Sequence, residues 1–180
     1  MAIAVNPSVP AKSLKELIAL ARAKPSEIVY GTPGAGTIQH VVGEMFRLAV
    51  NIKIVHVPYQ GAASVTALAG GHISMVLSNV AVIAPFVKNG KVRPLLVTTP
   101  ERAEALPDVP TFRESGYPAL EATNWSGLVV PSATPPSVIT RLNAELLRAL
   151  SNAEVQEKLK AQDLFPSPGT PDQFAALLQS

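Results

Sequence analysis

Three glycines and a proline fall within the seven positions from Gly31 to Thr37, inside the segment YGTPGAGTIQH that links an apolar run to a stretch of helical spacing. Gly31, Gly34 and Gly36 carry no Cβ to bar positive φ or to shield their amides. The helix that begins after Thr37 offers unpaired N–H groups and the positive end of its dipole. Such a loop suits an anion, with the Thr32 and Thr37 hydroxyls as further donors. A tight turn alone is the other use of this spacing. The order G-x-x-G-x-G reverses the dinucleotide fingerprint, and about 20 positions beyond Gly36 stands His56 where an acidic ribose partner belongs. No Gly-Lys-Ser/Thr follows either, so neither a nicotinamide cofactor nor a phosphate cradle of the P-loop kind is expected.

An enzyme would need a base, a nucleophile or a metal at the same place. His40, His56 and His72 fall on three different elements, without i, i+4 partners or metal-type carboxylates, so no metal site is expected. His40, one turn into the helix after the glycine loop, either shapes a pocket or packs locally. His56 and His72 lie in apolar runs and read as structural. Ser64, Ser78 and Ser126 have no nucleophile elbow around them. Trp125 either walls a crevice or packs in a core. Neutral hydrogen-bonding groups recur after the other apolar runs: Tyr59, Gln60 and Gly61 after Pro58, Ser78 and Asn79 after Leu77, and Thr98 after Val97. Such donors suit a carboxylate held without a permanent salt bridge.

The elements that must position these groups alternate. Residues 13–25 open with the capping pattern Ser13 to Glu16, place Leu14, Leu17, Ile18 and Ala21 on one stripe and stop at Pro25, which predicts a helix. A strand EIVY follows, then a helix with Ile38, Val41, Val42, Met45, Phe46 and Ala49 at helical spacing, and a strand KIVHV. A small-residue helix broken at Gly70 and Gly71, a strand HISMVL, a helix kinked at Pro85 and closed at Asn89-Gly90, and a strand KVRPLLVT complete the series. Alternation of this kind predicts a parallel sheet covered on both faces, with ligands in the crevice beyond the carboxyl ends of its strands. From Thr99 to Asn124 the periodicity fades and prolines accumulate, the texture of a connecting segment. Beyond it WSGLVVP reads as a strand. A helix after Pro135 and Pro136 with Val138, Ile139, Leu142, Leu146 and Leu150 on one face follows, and capping patterns at Ser151 to Glu154 and Thr170 to Gln173 mark two more.

Composition narrows the class. Of 180 residues, 47% are hydrophobic and only 16% charged, enough apolar material for a sizeable core. Fifteen basic and thirteen acidic side chains give a net charge of +2 without any basic cluster, and the few aromatics are scattered, so nucleic acid is not an expected partner. The absence of cysteine excludes disulfides, thiolate metal sites and a cysteine nucleophile. The first ten residues lack the basic and apolar regions of a signal peptide, and no apolar run approaches membrane-spanning length.

Five segments carry a resemblance that runs through the whole chain in order. AVNPSVPAKSLKELIALARAKPSEIVYGTPGAGTIQHVVGEMF, VHVPYQGAASVTALAGGHISMVLSN, GKVRPLLVTTPERAEALPDVPTFRESGYP, GLVVPSATPPSVITRLNAEL and GTPDQFAALL resemble the extracytoplasmic solute receptors of tripartite tricarboxylate transporter systems. The resemblance implies a type II periplasmic-binding-protein-like α/β fold and a receptor, not an enzyme. It implies no cofactor, a periplasmic location, and membrane subunits of the transporter as partners. The implied ligand is a small carboxylate: a dicarboxylate, an acidic amino acid or an aromatic acid. Residues 1–122 would be the complete ligand-binding domain, the family's second, and residues 123–180 a mostly helical, partial share of its first. One jaw of the site would be formed by Thr32, Gly34, Gly36, Thr37 and His40 with Tyr59 and Gly61, with Ser78 and Asn79 nearby. The match begins where family members cross into their second domain and stops short of their final helix and strand, which implies a receptor truncated at both ends. Such a chain is expected to bind carboxylates at millimolar affinity or weaker, about 4 kcal/mol, and to self-associate through helices bearing Leu142, Leu146, Leu150 and Leu159. A small cytosolic enzyme or sensor holding an anionic metabolite in the same crevice is the alternative.

Overall fold

A computed structural model describes residues 1–162 and 164–179. The chain divides into two compact units, Met1–Asn124 and Trp125–Ser180.

The first unit is built on β1 (Ala2–Val5), β2 (Val29–Thr32), β3 (Val55–Pro58), β4 (Met75–Ser78) and β5 (Arg93–Val97), in the spatial order β3-β2-β4-β1-β5. Strands β2 to β5 share one direction, as the alternation predicts. The sheet is nevertheless mixed, because β1 lies antiparallel between β4 and β5, pairing Ala2 with Ser78 on one side and with Val97 on the other. The sequence reading placed no strand there. Four residues, AIAV, all buried on both faces, show no alternation of polar and apolar side chains, and only their neighbours far along the chain decide their pairing. Asn6 ends the strand: its side-chain oxygen accepts from Ser8 N–H at 2.9 Å, and its amide donates to Leu68 O at 2.7 Å. Pro94 sits in β5, at the sheet edge, where a missing N–H is tolerated.

Two cores flank the sheet. Ile3, Val5, Met75 and Leu77 face one side, where α1 (Leu14–Ala23) contributes Leu14, Leu17 and Ile18 and α2 (Ile38–Ala49) contributes Val42 and Phe46. Ala2, Ala4 and Val76 face the other, against Val65 and Leu68 of α3 (Ala63–Ala69) and Val80 and Ile83 of α4 (Val80–Lys88). Helix α1 begins as its capping pattern predicts, with Ser13 Oγ accepting from Glu16 N–H at 3.2 Å. The expected apolar stripe of α2 is only half correct. Val42 and Phe46 are buried, whereas Val41 and Met45 are 46% and 41% exposed, and Gln39 and Gly43 take their places against the sheet. The segment after Thr99 is likewise more than a connector. Phe112 is fully buried with its ring 6.2 Å from that of Phe46, Leu106, Val109 and Leu120 join the cores, and ion pairs of Arg102 with Glu114 and of Arg113 with Glu121 brace the loop.

The second unit carries α5 (Pro136–Leu150), α6 (Ala153–Lys160) and α7 (Pro171–Gln179). The strand expected over residues 125–131 is absent: no described residue pairs with it, and Leu128 and Val129 are more than 70% exposed. Trp125 is half exposed and meets Phe174 edge-on at 5.6 Å, so it does not pack in a core. The cap of α6 is Asn152, whose side chain accepts from the N–H groups of Glu154 and Val155, while Ser151 closes α5. The α7 pattern forms the reciprocal pair, Gln173 N–H to Thr170 Oγ1 and Thr170 N–H to the Gln173 side chain.

Glycine is a steric requirement at two places in the first unit. A Cβ at Gly31, inside β2, would stand 2.6 Å from Ile73 Cδ1, so this glycine serves close packing and not the positive φ that the spacing suggests. A Cβ at Gly43 would stand 2.6 Å from the buried ring of Tyr30. Alanine is the better helix former by about 1 kcal/mol. Even so, Gly43→Ala is expected to lower stability by roughly 1–3 kcal/mol, because α2 must lift from the sheet to admit the methyl group. Urea denaturation checks this; an unchanged or raised midpoint would show that α2 has slack against Tyr30.

Candidate functional site

The carboxyl ends of β2, β3 and β4 open at one end of the sheet, and the loop from Pro33 to Thr37 crosses there. Gly36 holds φ of 77° and Gly61 of 54°, conformations that glycine adopts at least cost. Thr37 caps α2: its hydroxyl donates to Gly34 O at 2.8 Å and accepts from His40 N–H at 3.4 Å. Thr32 is fully buried, and its hydroxyl lies 3.0 Å from Gly34 O, so it braces the loop from below instead of facing outward. The N–H of Ala35 has no acceptor among the described residues, the turn at residues 35–36 carries Thr37 N–H back toward Gly34 O, and Gly36 N–H donates to His40 Nδ1 at 3.1 Å. Nδ1 of His40 therefore carries a lone pair, and its proton, when the ring is neutral, sits on Nε2.

His56, read as structural in the sequence, belongs to this cluster. Its ring stacks on that of His40 at 4.0 Å and 18°, its Nε2 lies 2.7 Å from Thr32 Oγ1, and Tyr30 leans on it at 4.9 Å. Tyr30 donates from its hydroxyl to Glu44 at 2.8 Å, and Glu44 accepts from Arg47 at 2.8 Å. Burial, with the bond to Glu44 added, pushes the Tyr30 hydroxyl well above the ordinary phenol range. For Glu44, burial works toward a higher value, but the hydrogen bonds from Tyr30 and Arg47 outweigh it and hold the carboxyl low. Burial lowers His56, and the neighbouring His40 lowers it further, against a weaker opposite pull from Glu44. A hydroxyl 2.7 Å from an imidazole is also how a nucleophile and base begin, but Thr32 has no exposed surface to meet a substrate.

The remaining expected positions are distributed unevenly. Tyr59 joins the loop through its N–H to Thr32 O at 3.0 Å. Asn79 stands between β4 and α4, and its side-chain oxygen accepts from the buried Gln39 at 3.1 Å, a link from α2 to the end of β4 that no spacing signalled. Thr98 is buried with its hydroxyl 2.8 Å from Ala122 O, so it presents no free donor, whereas Ser78, 2% exposed at the end of β4, has a hydroxyl without a partner among the described residues. Elsewhere, a concavity of about 660 Å³ beside α5 and α6 is lined by Glu145, Arg148, Glu154 and Lys158, a solvated groove of both charge signs. Among the described residues no cluster of metal-ligating side chains occurs, and no helix is long and apolar enough to cross a membrane.

Residues 1–180 match the family described as "Tripartite tricarboxylate transporter family receptor". The chain belongs to that family. It is 32% identical over 174 residues to Protein BugT of Bordetella pertussis, covering 96% of this chain and 53% of the relative. It is 34% identical over 171 residues to a UPF0065 protein in the tcbD-tcbE intergenic region of Pseudomonas sp. strain P51, covering 94% and 51%. The chain thus spans about half the length of these curated relatives. Among solved receptors, a periplasmic transporter superposes with a TM-score of 0.89 at 35% identity, over 99% of this chain and 60% of that one. Rpa4515 of R. palustris with adipate gives 0.88 at 31% identity, over 99% and 60%. MatC of Rhodopseudomonas palustris with bound malate gives 0.89 at 26%, over 99% and 62%. The periplasmic-binding-protein fold expected of this family is therefore present, with a mixed sheet.

Two of the shifted groups, His56 and Glu44, contribute an acid limit to stability. His56 is lowered in the fold, so the unfolded chain takes up its proton first as pH falls below the ordinary histidine value near 6.5, and stability drops from there toward the lower folded value. Glu44 is also lowered, so its contribution is full above the ordinary carboxyl range and is lost as pH falls through it. Denaturation midpoints between pH 5 and 7.5 are expected to rise with pH, and to rise less steeply in His56→Gln. An equal slope in the variant would assign the dependence to other groups.

Proposed function

We propose that this chain is the carboxylate-holding part of a periplasmic solute-binding receptor that delivers its ligand to membrane subunits of a tripartite tricarboxylate-type transporter. It is read as a binding protein, not an enzyme. The observation that carries the reading is the turn from Gly34 to Thr37 at the N-terminus of α2, where the Ala35 amide lacks an acceptor beside a positive helix end. The bound adipate and malate of Rpa4515 and MatC support a dicarboxylate as ligand. On this reading Gly34, Gly36, Thr37, His40, Tyr59, Gly61 and Asn79 surround the carboxylate, and Thr32 and Ser78 support the surface from beneath. Residues 1–122 act as the family's second domain and residues 123–180 as part of its first.

Adding malate or adipate to the 180-residue chain is expected to shift the backbone amide resonances of residues 34–40 and 59–61, a readout that registers millimolar affinity. No shift there with either acid, or shifts confined to other segments, would overturn the reading. Gly36→Val places a branched Cβ at φ of 77°, with no atom within 4 Å to obstruct it, so its cost is backbone strain of roughly 1–3 kcal/mol. The loop must reorganise, and affinity for malate is expected to fall at least about tenfold; equal affinity would mean that the glycine serves only the turn.

A second expectation concerns self-association. No described residue of α5, α6 or α7 is buried, and Leu128, Val129, Leu142 and Phe165 are each half exposed or more. Apolar surface of this kind drives association, so light scattering is expected to show a mass that rises with concentration. A monodisperse monomer at all concentrations would count against it.

A further inference from the structure

The geometry points to a proton as the second ligand of this site: we infer that capture of a carboxylate by the Gly34–Thr37 loop places one proton on the stacked His40–His56 pair, at Nδ1 of His40. The inference rests on the receptor reading above and goes beyond it, since nothing in that reading requires a change of protonation.

The lone pair of His40 Nδ1 accepts Gly36 N–H, the middle amide of the turn, at 3.1 Å. One N–H cannot serve both the imidazole and an arriving carboxylate oxygen. Adding a proton from solvent to Nδ1 uses that lone pair and breaks no covalent bond, and the hydrogen bond from Gly36 can then no longer be made. The same proton turns His40 from a competitor of the ligand into a charged donor next to the freed amide. Neutral His40 therefore suits the hydrogen bond from Gly36, and protonated His40 suits a carboxylate on that amide.

Every titratable neighbour of the pair bears on how many protons it takes. The rings stand 4.0 Å apart and nearly parallel, a separation at which two positive charges repel strongly, so the pair accepts one. From β2, Tyr30 leans on His56 and stays neutral, and Thr32 holds His56 Nε2 at 2.7 Å. From α2, Glu44 lies one turn beyond His40 and interacts with both rings, and Arg47 is tied to Glu44. Burial holds His56 below the ordinary histidine value, while His40 Nδ1 is the ring nitrogen that meets the loop at Gly36, so the proton is placed there. His56 is thus a positioning residue: it fixes the ring plane of His40 through the stack and the brace to Thr32.

The test follows the imidazole C–H resonances of the 180-residue chain between pH 6 and 8, where both carboxyls of malate are ionised. With saturating malate the His40 midpoint is expected to move up, and malate affinity, read from the loop amides, to be about tenfold tighter at pH 6 than at pH 8. His40→Gln is expected to abolish that pH dependence, and His72→Gln, remote from the pair, to retain it. Malate binding with an unmoved His40 midpoint, or with equal pH dependence in His40→Gln, overturns this inference and leaves the receptor reading intact. Absence of loop shifts with malate at every pH overturns both.

Discussion

Everything at the candidate site depends on how closely α2 lies on the sheet. At Gly43 the helix backbone rests against the ring of Tyr30, closer than any side chain would allow, and the Tyr30 hydroxyl reaches past it to Glu44 on the next residue of the helix. That contact sets the rotation of α2. It turns Gln39 inward to meet Asn79, turns His40 toward β3 to stack on His56, and aims the first turn of the helix at the end of the sheet. The glycine loop inherits its course from these anchors: Thr32 and Thr37 hold it by side-chain hydroxyls, and His40 holds its middle amide.

Much of this frame is legible in the sequence because it is local. The caps at Ser13 and Thr170, the alternation of four strands with helices, and the placing of the glycine loop at a strand end all follow from patterns spanning fewer than twenty residues. The rotation of α2 is not local. Its sequence offers two apolar faces, Val42 with Phe46 and Ile38 with Val41 and Met45, and periodicity has no means of choosing between them. Gly43 is the residue that decides, and its meaning depends on Tyr30, thirteen positions earlier and on another element. The same limit hid His56. In the sequence it is one polar residue in an apolar strand, and only parallel pairing of β2 with β3 sets it beside Tyr30 and within reach of Thr32 and His40.

The tail shows the opposite failure. WSGLVVP has the composition of a strand, but composition supplies no hydrogen-bonding neighbour, and the segment lies exposed without one among the described residues. In the stretch after Thr99, irregular backbone and frequent proline concealed residues that close both cores, Phe112 above all. Irregular chain is able to bury large side chains when its own polar groups find partners, as Val97 and Pro110 show across the edge of β5.

The antiparallel strand inside the sheet has a kinetic meaning. Ala2 pairs with Ser78 and Val97, so this side of the sheet is closed by contacts between parts far apart along the chain. Loop closure of that span precedes any gain from the pairing, which makes this a slow step relative to the local helices. During synthesis β1 emerges before β4 and β5 and must wait, apolar and unpaired, until both of these neighbours have been made. Chaperones that hold short apolar segments would find their natural target in these four residues.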